Sequence, residues 1–101
     1  MSTSALIIVS TKEMNQMPVY IYKHWDGTKE KIESYFPKAK LLAKDYWDRH
    51  DAAAALVAVM KETAGDVYIL DLNTAVIDSP MPTNTFILID DWKLIQKEER
   101  E

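Results

Sequence analysis

The two histidines of this 101-residue chain each stand beside an aspartate, and that is its nearest approach to a chemical motif. His24 and Asp26 close an alternating Tyr20-Ile21-Tyr22-Lys23 run, while His50 and Asp51 sit where a polar stretch gives way to four consecutive alanines. An imidazole next to a carboxylate can bind a divalent metal or pass a proton near neutral pH. His24, Asp26 and His50, if they converge, would therefore describe a small metal- or ligand-dependent enzyme. The same residues have plainer uses. Asp26 can cap a helix, Gly27 can permit a turn, Trp25 can cover a core, and His24 can be satisfied by a backbone carbonyl. A second candidate set is Asp66, Asp71, Asp78, Asp90 and Asp91, since two-metal hydrolysis uses converging carboxylates. Most of these fall at element ends, where aspartate favours turns. Asp71, between Leu70 and Leu72, is the exception.

The aromatic residues offer a different kind of chemistry. Tyr20, Tyr22 and His24 share one face of a strand, and Trp25 follows directly. Rings with a polar tip suit a core and a protein interface equally well. Tyr20, Tyr22, His24, Trp25 and Asp26 are accordingly the interaction candidates, with no catalytic, metal or cofactor residue assigned.

Composition narrows the remaining classes. Apolar residues make up 48% of the chain and charged residues 28%, which fits an ordinary globular domain. There is no cysteine, so disulfides, thiolate catalysis and thiolate metal sites are excluded. Lys29, Lys31, Lys38, Lys40 and Lys44 gather in one block, where Glu30, Glu33, Asp45 and Asp48 interleave with them. With a net charge of −4, that block supplies little phosphate-neutralising surface, so a nucleic-acid regulator ranks behind a protein-binding role. The longest apolar run, from Ala52 to Met60, is about half of what a membrane span requires. No export signal is read at the start, and the expected location is the cytoplasm.

Elements able to position these residues follow from pattern. Ala5 to Val9 reads as a strand buried on both faces or on most of one, with an edge open to pairing. Pro18 to His24 alternates as a second strand, Val19 and Ile21 on one face and Tyr20, Tyr22 and His24 on the other. Gly27 marks a backbone conformation other residues resist, and Thr28, with Asp26 as its competitor, caps a helix carrying Ile32, Tyr35 and Phe36. Pro37 divides that helix from a second one, whose apolar stripe runs from Ala39 and Leu42 to His50. Asp51 caps a third helix over 52–63, closed by Gly65. Strands follow over 66–72, 75–77 and 85–89. Residues 90–96 read equally as strand or helix, and 97–101 as a frayed charged tail.

His24-Trp25-Asp26-Gly27, preceded by Tyr22, resembles the Tyr-x-His-Trp-Asp-Gly segment of small uncharacterised proteins encoded by bacterial prophages, phages and plasmids. In that family the segment resembles a strand end and continues Tyr-Pro-Glu into a helix. Here Thr28-Lys29-Glu30 keeps the acidic residue alone. Tyr68-Ile69-Leu70-Asp71-Leu72 is similar to a strand such proteins carry after their helices. The resemblance implies a mobile-element origin and brings no activity with it.

The resulting expectation is a single α+β domain over 1–96. It has an antiparallel sheet of four to five strands, two to three helices on one face, and β-β-α-α-α-β-β-β order. Its expected role is a small non-enzymatic accessory protein that contacts a protein partner or a second copy of itself as a homodimer. The enzyme built on His24, Asp26 and His50 is the alternative reading, and a nucleic-acid regulator the next.

Overall fold

The computed structural model describes residues 3–10, 18–43, 49–62, 66–70, 84–89 and 92–96. Its elements run β1 (Ala5–Val9), β2 (Val19–Lys23), α1 (Lys29–Glu33), α2 (Phe36–Leu42), α3 (Arg49–Lys61), β3 (Val67–Leu70), β4 (Asn84–Ile89) and β5 (Lys93–Gln96). This is an α+β fold in the expected order, and residues 93–96 take the strand alternative. The expected strand over 75–77, the Gly65 cap and the tail lie outside the described residues.

The sheet has the spatial order β3-β2-β1-β4-β5. Three of its pairings are antiparallel, but β1 and β4 run parallel, with Ile7 opposite Phe86. The sheet is therefore mixed rather than wholly antiparallel, and β1 is its central strand rather than an exposed edge. The physical reason is the composition of β1. Four of its five residues are buried, so flanking it on both sides leaves neither of its hydrogen-bonding edges in water. The edges fall instead to the shorter β3 and β5, both more exposed.

Strand register assigns the two faces. Ile7, Val9, Ile21, Val67, Phe86, Leu88 and Leu94 join Ile32 of α1, Tyr35 at the cap of α2, Phe36 and Ala39 of α2 and Leu56, Val59 and Met60 of α3 in one core. A fully buried side chain of this size contributes about 1.5–3 kcal/mol. On the opposite face lie Leu6, Ile8, Tyr20, Tyr22, Tyr68, Ile87 and Ile95. Ala52 and Ala53, at 0% and 2% exposure, let α3 settle closely onto the sheet and α2.

Helix boundaries differ from the periodic reading. α2 ends at Leu42 because Ala43 turns to extended backbone (φ −74°, ψ 137°), which leaves Leu42 in solvent rather than on an apolar stripe. α3 already begins at Arg49, so Asp51 lies inside its first turn, where the helix dipole favours an acid, rather than at the cap. Pro37 does occupy the first turn of α2, and Thr28 caps α1 by accepting from the Lys31 N–H. No helix among the described residues is long and apolar enough to cross a membrane.

Candidate functional site

β2 ends where chain direction, burial and charge all change at once. Alternation sends Tyr22 to the sheet face opposite the helices and Lys23 into the core, where its side chain is fully buried. The Lys23 ammonium donates to the Trp25 carbonyl at 2.5 Å and lies 5.7 Å from the centroid of the Tyr35 ring. That bond ties the backbone of the next turn to the interior. Asp26 then adopts φ 55°, a left-handed conformation that aspartate tolerates better than most residues.

Gly27 is required for space rather than for an unusual φ. A Cβ there would stand 2.7 Å from both the Ala5 Cβ and the Ser4 carbonyl carbon. The Gly27 N–H donates to the Thr3 carbonyl at 2.7 Å, and the Asn84 side-chain amide donates to the Gly27 carbonyl at 3.0 Å. The turn is thereby sewn to the start of β1 and of β4.

Pairing of β2 with β3 then supplies the residue on which the site is organised. Lys23 lies opposite Val67, and the His24 N–H donates to the Asp66 carbonyl at 3.0 Å. One Asp66 carboxylate oxygen accepts the Trp25 indole N–H at 2.9 Å, and the other accepts the Tyr68 hydroxyl at 3.1 Å. These two bonds, Trp25's first, hold the Asp66 carboxyl below its ordinary value of 3.8, with the nearby charges of His24 and Lys61 adding to the effect against slight desolvation. The bond to Asp66, and its charge, raise the Tyr68 phenol.

The rings extend this network. Tyr68 stacks on Tyr22 with centroids 6.3 Å apart and planes 17° from parallel. The Tyr22 hydroxyl lies 3.0 Å from His24 Nδ1, and the His24 and Trp25 rings meet edge to face at 4.6 Å. The result is a continuous set, Tyr22, His24, Trp25, Asp66 and Tyr68. Trp25 is 46% exposed and Tyr68 49%. Trp25 is therefore not a cover for the core, and His24 meets a phenol rather than a backbone carbonyl.

Of the five residues singled out by sequence, the structure brings Tyr22, His24 and Trp25 together. Tyr20 occupies the same sheet face, opposite Leu70, without a described ring contact to the cluster. Asp26 is exposed and Thr28, not Asp26, caps the helix. The side chain of His50 lies outside the described residues, as do Asp71, Asp78, Asp90 and Asp91. Among the described residues no group of three or more His, Asp or Glu side chains is placed to hold a metal. Sequence reading missed Asp66 as an anchor and Tyr68 as a site residue. The signal for both was the pairing of two strands, since the Trp25–Asp66 bond spans 41 positions.

Of the lysine block, Lys29 and Lys31 fall on α1 and Lys38 and Lys40 on α2, while Lys44 lies outside the described residues. Lys38 pairs with Glu62 at 2.6 Å, and the Lys31 ammonium lies 5.6 Å from the Tyr35 ring centroid. Compared with known proteins, the chain matches no family model, no curated protein and no solved structure.

Proposed function

We propose that this protein is a small non-enzymatic contact protein, cytoplasmic and of mobile-element origin, whose working surface is the Trp25 and Tyr68 platform at the β2–β3 end of the sheet. The observation that carries this reading is the double bond pattern of Asp66, which fixes two half-exposed aromatic rings on one carboxylate. Exposed rings normally lose side-chain freedom on binding. Rings already held in place lose less, which favours association. Trp and Tyr are also the residues that most often dominate protein interfaces. Origin rests on the segment from Tyr22 to Gly27, and its check is the genomic neighbourhood: phage genes beside this one agree with it, and a metabolic operon does not.

The contact role is tested with Trp25→Ala combined with Tyr68→Ala. Both side chains are about half exposed, so the double variant should keep its secondary structure and melt close to the parent. Sedimentation at high protein concentration reads self-association, and affinity capture from the native host reads a heterologous partner. The expected outcome is one association present in the parent and lost in the folded double variant. A strictly monomeric parent whose captured proteins are identical to those of the variant would overturn the reading. A divalent-metal-induced melting shift that disappears in His24→Ala would instead favour the enzyme alternative.

A further inference from the structure

We propose that the platform accepts a cationic side chain from its protein partner, an arginine guanidinium laid against the exposed part of the Trp25 or Tyr68 ring. This deepens the contact reading and rests on it. The first argument is electronic. The indole N–H and the phenol O–H both donate to one carboxylate, at 2.9 and 3.1 Å, and donation to an anion polarises each ring so that its face becomes more negative. A negative ring face is what attracts a cation, and Trp and Tyr are both effective in this role.

The second argument is charge. Asp66 meets both rings at their polar edges, and the exposed Asp26 follows Trp25 directly. The whole chain carries −4. The opposing groups are Lys61 and His24, which act on Asp66, and Lys23. Lys23 is fully buried and its ammonium faces the Trp25 carbonyl, so it presents no charge to the surface. An arginine-bearing partner would find one carboxylate in the platform and a second, exposed, on the residue after Trp25.

The third argument is shape. Tyr22 is the one ring beside Tyr68 among the described residues, near parallel at 17° with centroids 6.3 Å apart, so no ring walls are seen around Tyr68 on several sides. An aromatic cage closing around a rounded quaternary ammonium needs walls on several sides. A flat guanidinium needs one face to stack on and is less strongly hydrated than an ammonium, so it gives up less on leaving water. Trp, Tyr and Arg are also the residues enriched where interface energy concentrates.

The test is an NMR titration of the full chain with N-acetyl-arginine amide, with N-acetyl-lysine amide and the neutral N-acetyl-citrulline amide as comparators. The expected result is a saturable shift of the Trp25 indole N–H and the Tyr68 ring with the arginine compound, at least about threefold tighter than with citrulline. Added salt should weaken it. Trp25→Leu and, independently, Tyr68→Leu should each abolish or weaken it, so that one misfolded variant leaves the other decisive. Citrulline binding as tightly as arginine, or no saturable shift at all, overturns the inference. A partner still lost in the Trp25→Ala, Tyr68→Ala variant under those circumstances would leave the contact reading standing and remove only its cationic specificity.

Discussion

Replacing Gly27 with alanine tests the account of how the site is fastened to the sheet. The added Cβ would sit 2.7 Å from the Ala5 Cβ, 2.7 Å from the Ser4 carbonyl carbon and 2.8 Å from the Ala5 nitrogen. Two of these three atoms are backbone in the run leading into the central strand, and they have no rotamer with which to yield. Overpacking of this kind costs about 1–3 kcal/mol. Any shift that relieves it stretches the bonds from Gly27 to Thr3 and from Asn84 to Gly27, each contributing about 1 kcal/mol. Alanine restricts the unfolded chain and returns about 0.4–1 kcal/mol. The expected net loss is about 2–3 kcal/mol, read by urea unfolding. For a domain of this size that lowers the melting temperature by about 10–20 °C. Ala5→Gly in the same chain should restore only part of the loss, because it removes one of the three close contacts and leaves both backbone atoms in place. A destabilisation below about 0.5 kcal/mol, or complete rescue by Ala5→Gly, would refute the close-approach argument.

Four further outcomes follow from the same structure. Because its folded pKa is depressed, Asp66 contributes stability above its ordinary value of 3.8 that is lost as pH falls through the folded value. The Trp25 indole N–H resonance should therefore move upfield under acid while the Asp66→Ala protein shows no such step; a Trp25 signal indifferent to both would contradict the anchoring role. At the alkaline end the Tyr68 phenol, raised by Asp66, should titrate above 10.0 by ultraviolet absorbance and return toward that value in Asp66→Ala. Lys38→Met should change stability by less than about 1 kcal/mol, since the Lys38–Glu62 pair is 60% and 50% exposed, and a larger loss in urea unfolding would count against its being a screened surface pair. Lys23→Met should leave global stability level or higher while speeding hydrogen exchange at the Gly27 amide, because a buried ammonium gives way to an apolar chain and the Trp25 carbonyl loses its donor; unchanged exchange at Gly27 would dissociate Lys23 from the turn.

What the sequence disclosed and what it withheld divide along physical lines. Strand alternation over Val19 to Lys23 needs only local period, and it correctly separates Ile21 from Tyr22. Helix entry at Thr28 and the break at Pro37 are likewise local, written in the capping hydroxyl and the missing N–H. The stop at Leu42 was hidden because the apolar spacing continues through Ala43 into Tyr46 and Trp47, and nothing in that spacing signals an extended residue. The parallel β1–β4 pairing was hidden for another reason. Which strand flanks a buried one is decided by covering its free edge, a property of the assembled sheet. Asp66 belongs to the same class. Viewed along the chain it precedes a strand as many turn aspartates do, and only the antiparallel register of Lys23 with Val67 sets it against Trp25.

Lys23 links these two levels. It stands between Tyr22 and His24, and alternation alone would fill its inward position with an apolar side chain, as Ile21 fills the one before it. An ammonium there gives up its hydration, and the described residues offer it a ring and a carbonyl rather than a carboxylate. For the core this is a poor exchange. For the turn it is a useful one, since the ammonium holds the Trp25 carbonyl from below while Asp66 holds the Trp25 indole from the side, leaving the residue fixed at both ends with its ring 46% exposed. A side chain that weakens packing and holds an exposed tryptophan in place is a poor choice for a core and a fitting one for the proposed contact surface. The local violation of the strand pattern thus meets the aromatic cluster at Trp25, and supports the proposal that this end of the sheet is a contact surface.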